Sequence, residues 1–435
     1  MKPFFKTALL IVFIIGGSLS GRAGEANRAG EVLDEVWNEV GKRHFAENFK
    51  EKHHPLYLKF RPAILKADTD TEITFEINKL LQALGQSHIV LQPPAKTVFS
   101  RAMSVIRRNT GPVKDQRRAR KKTVVSSDSP ADTGIYLAQS AGRICVIRVR
   151  KNSPADLAGM KVGDVILSIN GIQLHPEMKL SLSWWILARA LLSGRAGSKV
   201  KVEYLNGADK KRSVILTRRL NGEKWFQFGV LPRSYSDFYS TVLPGNIGYV
   251  QFTEFSTPML LRFRKTISGE LRNIRGLILD MRGNIGGMLM YPPWLAAWCC
   301  PAPVNFGKLV IRNTPLELKS FPQPQCFKGP LAVLINRDSY SCAEVFAAGM
   351  QDAKKAKLFG SVTSGKCLPS IFLKLPSGFR LQTVTGNIVR ADGKGIENIG
   401  VEPDEKVVLS LESLRKGSDN VVEAARKYLA AQATP

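Results

Sequence analysis

The chain has 435 residues, 44% hydrophobic and 23% charged, an ordinary globular balance with room for two or three domains that each bury a core. Its 63 Lys and Arg against 36 Asp and Glu leave a formal charge of +27. That charge favours acidic partners such as nucleic acid, anionic headgroups or envelope polymers without naming one. Six cysteines are too few for a disulfide scaffold at this length, and no C-x-x-C or H-E-x-x-H pattern is present, so no metal or cofactor is expected.

Residues 1–23 read as a secretory signal peptide. Lys2 and Lys6 supply the positive start, Ala8 to Ile15 the apolar run, and Gly21-Arg22-Ala23 the small residues of a cleavage site. The run falls short of the ~20 apolar residues of a membrane span, although an uncleaved anchor is the alternative. Export argues against nucleic acid as the partner and permits disulfides; Cys299, Cys300 and Cys326 could supply one bridge, with the pairing left open. Residues 24–100 read as an N-terminal helical domain, with Val32, Leu33, Val36, Trp37 and Val40, then Ile73, Ile77, Leu80, Leu81 and Leu84, at helical spacing. His88 follows Gly85 and is read as structural, because nothing near it in sequence completes a triad.

Residues 101–122 form a basic linker, nine Lys and Arg facing the single acid Asp115. A solvated linker is the plain reading and docking to an anionic envelope surface the sharper one. From 123 to 220 the pattern changes to short strands. Ile144 to Val149 is one strand, Ser153-Pro154-Ala155 opens a small helix, and Asn170-Gly171 is a hairpin dipeptide after Val165 to Ile169. The run SPADLAGMKVGDVILSING resembles a PDZ domain. The resemblance implies a groove that takes a peptide as an added strand, with Gly134, Ile135, Tyr136 and Leu137 as the carboxylate loop. Tyr136 departs from the glycine usual there.

Residues 221–410 alternate strands and helices, with Ile247 to Phe252 and Leu277 to Leu279 as core strands. Asp280-Met-Arg-Gly-Asn-Ile-Gly286-Gly287 follows a strand end, where glycines let backbone N–H groups approach a reacting carbonyl. The centre of the chain is Leu331 to Ser370. An apolar strand, Leu331 to Ile335, ends in a turn; a helix begins after Ser341; Lys366 lies on the next extended stretch. A serine hydroxyl needs a base. All five histidines precede residue 176, so a Ser-His pair would borrow its imidazole from another domain, whereas a neutral lysine would serve locally. Ser341-x-x-Glu344 also reads as a capping box, and Lys366 as one of many solvated cations. Gly360 to Lys366 fits G-x-x-x-x-G-K, but Cys367 stands where a phosphate loop needs Ser or Thr, and Pro369 with Ile371, Leu373 and Leu375 reads as extended. Residues 411–435 read as a C-terminal helix.

Ser339 to Glu344 resembles the S-A-S-A-S-E nucleophile motif of the C-terminal processing peptidases, or tail-specific proteases. Lys366 follows Ser341 at that family's spacing, Asp352 matches its helix-end pattern, and the D-x-R-x-N-x-G-G segment is similar to its own. The resemblance implies an α/β multidomain fold with a helical N-terminal region, a β-rich PDZ module and an α/β peptidase core. It implies catalysis by Ser341 and Lys366, an oxyanion hole from Gly286, Gly287 and Cys342, and substrates with accessible C-termini in a bacterial periplasm or cell envelope. Ser370 stands where the family has a glutamine that orients the lysine, and Cys367 where it has a glycine. Two alternatives stand beside the peptidase: a catalytically weak homologue acting as a PDZ peptide-binding adaptor, and a basic envelope-binding protein.

Overall fold

The computed structural model describes residues 28–94, 129–174, 184–225, 235–312 and 314–432. The leader and the basic linker therefore lie outside the described residues.

The N-terminal region is three helices, α1 (Arg28–Arg43), α2 (Phe49–Ile64) and α3 (Asp70–Ala83), and a short strand, β1 (Val90–Gln92). The two helices with clear periodicity in the sequence are α1 and α3. Pro55 and Pro62 lie inside α2 and only its two end residues, Phe49 and Ile64, are buried, so no periodic stripe announced it. Helix α3 opens on a capping box, with Glu72 N–H donating to Thr69 Oγ1 and Thr69 N–H to the Glu72 carboxylate.

The second unit contains β2 (Ala131–Asp132), β3 (Ile135–Ser140), β4 (Arg143–Val149), α4 (Pro154–Leu157), β5 (Val165–Ile169), β6 (Ile172–Gln173), α5 (Trp184–Leu192), β7 (Lys199–Leu205), β8 (Lys211–Thr217) and β9 (Arg219–Leu220). Its main sheet runs β3-β4-β5-β7-β8, which leaves β3 at an edge beside α5. Asn170 and Gly171, both with positive φ, make the tight turn between β5 and β6.

The core contains β10 (Phe238–Leu243), β11 (Ile247–Phe252), α6 (Thr257–Ser268), β12 (Gly276–Asp280), α7 (Tyr291–Cys299), β13 (Asn305–Ile311), β14 (Thr314–Lys319), β15 (Leu331–Ile335), α8 (Cys342–Asp352), β16 (Lys357–Gly360), β17 (Ser370–Lys374), β18 (Arg380–Val384), β19 (Asn387–Val389), β20 (Glu405–Lys406), α9 (Leu411–Arg415) and α10 (Asn420–Gln432). Its sheet runs β10-β11-β12-β15-β16-β20, parallel apart from the β10–β11 pair. Strands β11, β12 and β15 are buried along their whole length because both faces are covered. Leu277, Leu279 and Val333 share a cluster with Phe263, Leu295 and Phe346 of α6 to α8. Ile278, Ala332 and Leu334 meet Val421, Ala425 and Leu429 of α10 on the other face. The C-terminal helix thus closes the sheet.

Strand β1 pairs antiparallel with β18, and α1 to α3 share one hydrophobic cluster with Leu368, Leu375, Phe379, Leu381 and Val384. The N-terminal region is welded to the chain that follows Lys366. All six cysteines are buried thiols, so the bridge considered among Cys299, Cys300 and Cys326 is absent. Asp352, at the end of α8, is ion-paired with Arg390.

Candidate active site

The parallel strands β12 and β15 end side by side, and their following loops meet at Ser341. In open parallel sheets, strand carboxyl ends are where loops converge on a ligand. The β12 loop folds on its own polar groups. Arg282 grips Asp280 and Asp419, Asn284 Nδ2–H donates to the Phe252 carbonyl at 2.9 Å, and Asn284 Oδ1 accepts the Gly286 N–H at 2.9 Å. After β15, Ser339 Oγ–H donates to the Met281 carbonyl at 2.8 Å, tying the two loops together. Ser339 is fully buried and structural in placement.

Ser341 begins the turn into α8 with φ 54° and ψ −117°. A positive φ costs a residue with a side chain about 1–2 kcal/mol, so the surroundings must impose it. Glu344 does much of this. Its buried carboxylate accepts the Ser341 N–H at 3.0 Å, Thr363 Oγ1–H at 2.6 Å, and the N–H groups of Gly365 at 2.7 Å and Lys366 at 3.0 Å. Burial pushes the Glu344 carboxyl up, and these donors pull it back toward the charged form. The Glu344 N–H donates to the Ser341 carbonyl at 2.8 Å, and Ser341 lines a cleft.

That cleft holds about 1040 Å³ and is lined by Ser341, Cys342, Gly287, Cys367 and Ser370 together with His88. The imidazole arrives from the N-terminal region. His88, itself at φ 62°, lies 2.6 Å through Nδ1 from Ser87 Oγ. Ser87 Oγ is 2.9 Å from Glu397 Oε2, and the Ser87 N–H donates to Glu397 Oε1 at 2.7 Å. Glu397 also accepts the Cys367 N–H at 2.8 Å, and Asn398 Nδ2–H donates to the Gly85 carbonyl. A hydroxyl has one proton and a carboxylate accepts only. Ser87 therefore donates to Glu397 and receives the proton on His88 Nδ1, which leaves Nε2 as a bare acceptor. Burial, then the Lys366 charge, push the His88 imidazole down to about 4, so it is neutral at pH 7.

Lys366 meets Ser341 through its backbone. Its carbonyl accepts the Ser341 N–H at 3.0 Å, but the residue is exposed and its Nζ lies over the Tyr340 ring, 5.4 Å from the centroid. Ser370 opens β17 on the cleft wall, where its Oγ accepts Gln382 Nε2–H at 2.9 Å. Cys342 is no rival nucleophile, since burial pushes its thiol up to about 12 and its Sγ lies 3.2 Å from the Gly287 carbonyl.

Of the three expected oxyanion residues, Gly286 has its N–H committed to Asn284. Its glycine is required for space: φ is +88°, and a Cβ would sit 2.6 Å from the Ser341 Cβ. A Cβ on Gly287 would lie 2.1 Å from the Phe255 carbonyl oxygen. Gly287 and Cys342 line the cleft with Ser341, Cys342 at the start of α8, where helix N–H groups lack intrahelical acceptors.

In the second unit, Gly134 packs so closely that a Cβ would lie 2.2 Å from Ser153. Its N–H donates to Asp132 at 2.8 Å. Ile135 and Leu137 line a small pocket with Leu192 of α5. Tyr136 turns to the core, its hydroxyl donating to Asp237 at 3.3 Å and its ring 3.4 Å from the Arg148 guanidinium carbon.

His88, Ser87 and Glu397 were not assigned to the site from sequence. The available signal was the location of every histidine outside the nucleophile's own segment, which required any imidazole to arrive from afar.

Comparison with known proteins finds matches to both the core and the second unit. The family model for peptidase family S41 matches residues 246–407, and the PDZ domain model matches residues 125–216. The carboxy-terminal processing protease CtpA of Bacillus subtilis is 27% identical over 296 residues, which is 68% of this chain and 60% of that protein. The chloroplastic C-terminal processing peptidase of Tetradesmus obliquus is 26% identical over 394 residues, 85% of this chain and 75% of the relative. The chain thus spans less than two thirds of the Bacillus relative's length. The solved photosystem II D1 C-terminal processing protease shares the fold, with a TM-score of 0.53 and 22% identity across 90% of this chain and 98% of that one. The chain thus carries a helical N-terminal region, a PDZ domain and a mixed α/β core in this order, with the core matching the model of peptidase family S41 over residues 246–407.

Proposed function

We propose that the protein is a serine endopeptidase acting on protein substrates through their C-terminal tails, with Ser341 as nucleophile and His88 as its base. The observation that carries this reading is the His88–Ser87–Glu397 chain, which fixes the imidazole through Nδ1, together with the lining of one cleft by both His88 and Ser341. Ser341 Oγ attacks the scissile carbonyl and passes its proton to His88 Nε2. The imidazolium so formed donates through Nδ1 to Ser87, which donates to Glu397. The oxyanion receives the N–H groups of Gly287 and Cys342. His88 then protonates the leaving amine, and water releases the acyl group. Phe255, Met288, Leu289, Val345 and Ile388 give the cleft an apolar wall suited to apolar substrate side chains.

A second reading keeps Lys366 as base with Ser370 beside it. Its support is the spacing from Ser341 and the hydrogen bond between the two backbones; its Nζ would have to swing from Tyr340 and lose its proton. The adaptor alternative keeps the PDZ residues and discards turnover. Residues 1–23 support export, to a periplasm or cell envelope, and the charge of +27 supports contact with an anionic surface there.

Cleavage of an unstructured protein by the parent, Ser341→Ala, His88→Gln and Lys366→Ala decides among them. Loss in Ser341→Ala and His88→Gln with turnover kept in Lys366→Ala is expected. Loss in Lys366→Ala with turnover kept in His88→Gln transfers the base to lysine, and an inactive parent leaves the adaptor.

A further inference from the structure

The end of the PDZ groove is occupied by the chain itself. A peptide adding to β3 would lie between that edge strand and α5, with its terminal carboxylate near the start of β3 and the end of the helix. Two kinds of group hold an anion at such a place: loop N–H donors and a basic side chain. Both already hold carboxylates of this protein. The Gly134 N–H donates to Asp132, which also pairs with Arg150. Arg189, near the end of α5, lies 3.5 Å from Asp237 Oδ2, with the two side chains 16% and 10% exposed.

Asp237 comes from the core, at the entrance to β10, and reaches into the PDZ unit. Tyr235 accompanies it, with its carbonyl accepting from Arg189, its ring under the same guanidinium and its hydroxyl 2.7 Å from Ser193 Oγ at the end of α5. Only about 40 Å³ of free space remains among Thr133, Ile135, Leu137, Leu192, Arg189 and Asp237. That is room for a water or two and not for the last residue of a peptide. The Asp237 backbone is held separately, its N–H donating to Thr253 Oγ1 at 3.0 Å and its carbonyl accepting the Thr253 N–H at 3.1 Å. The side chain can therefore leave Arg189 while the backbone stays in place.

We propose that Arg189 is the carboxylate receptor of the PDZ groove and that Asp237 occupies it as an internal stand-in, which an incoming peptide tail must displace. The ligand class is a free α-carboxylate following an apolar residue, since Ile135, Leu137 and Leu192 surround the position. The proposal rests on reading the PDZ unit as a tail receptor. Exchange of one carboxylate for another on one guanidinium makes affinity a difference between two similar ion pairs, so the resting protein discriminates tails without holding them tightly.

The test is fluorescence anisotropy on the full chain carrying Ser341→Ala, so that no turnover intervenes. The probe is a labelled ten-residue peptide ending in valine, as the free acid and as the amide. Asp237→Asn keeps the shape and removes the competing charge. It is expected to tighten the acid about tenfold and leave the amide unchanged. Arg189→Gln is expected to abolish the preference for the acid. Unchanged affinity for the acid in Asp237→Asn, equal tightening of acid and amide, or no binding to any of the proteins overturns the proposal. Should Arg189→Gln fail to fold, the nearly isosteric Asp237→Asn decides alone. Cleavage by the parent is read in a separate assay, so failure here is distinct from failure of the peptidase assignment.

Discussion

Replacing Lys366 with methionine separates the two candidate bases because it changes charge at one and chemistry at the other. Two causes push the His88 imidazole from 6.5 down to about 4, with burial first and the Lys366 charge second. Less than half of that fall therefore belongs to the lysine, and removing its charge lifts the titration no higher than about 5. The sign follows from His88 acting as a neutral base. Activity is present above its pKa and is lost as pH falls through it. The assay is kcat/KM on a quenched fluorescent peptide from pH 3.5 to 10, which reports the free enzyme's ionisations. The parent is expected to reach half its plateau near pH 4 and to stay flat through neutrality. Lys366→Met is expected to keep the plateau and to move only the acid limb upward. A parent rate that keeps climbing into the alkaline range, together with loss at every pH in Lys366→Met, would refute the histidine assignment.

Gly286→Ala places a Cβ 2.6 Å from the Ser341 Cβ at a φ of +88°. A nucleophile displaced by such a contact loses about 100-fold in kcat, measurable in the same peptide assay, with thermal melting showing the fold retained. Ser339→Ala removes a buried donor to Met281 and is expected to cost about 1–2 kcal/mol of core stability in a urea melt while turnover persists. Ser341→Ala is expected to do the reverse. Burial pushes the Asp338 carboxyl up to about 6 from 3.8, and its Oδ2 has no partner among the described residues. Its stabilising contribution is thus full below pH 3.8 and lost as pH rises through about 6. Asp338→Asn should therefore gain on the parent by about 1 kcal/mol between pH 5 and pH 8 in paired denaturation curves.

Local pattern carried the strand limits Leu331–Ile335 and Ile247–Phe252, the Asn170-Gly171 turn and the helix after Ser341, because each is fixed by residues adjacent in sequence. Helix α2 escaped because its prolines and exposed faces leave no periodic stripe. The shared cluster of α1 to α3 with Leu368 to Val384 escaped for a different reason: apolar residues declare that they will be buried and never against what. The same limit governs the site. Ser341 announces itself by its turn, but Ser87 and Glu397 are ordinary polar residues 310 positions apart, and only the welded N-terminal region brings them together. Lys366 had the right spacing, which fixed its backbone beside Ser341 and left its side-chain direction open.

The junction of Ser87 with Glu397 bears on when, during synthesis, the proposed site could first assemble. The imidazole is translated early, the hydroxyl much later, and the carboxylate that sets the imidazole's tautomer later still, 310 residues after Ser87. A chain emerging from its ribosome in that order carries each group as an inert side chain until the stretch beyond Glu397 is complete. The N-terminal helices must then find β17 and β18 before the imidazole faces the hydroxyl. On the proposed assignment, a product that stops before Glu397, or one that lacks the residues up to His88, is born without the complete set.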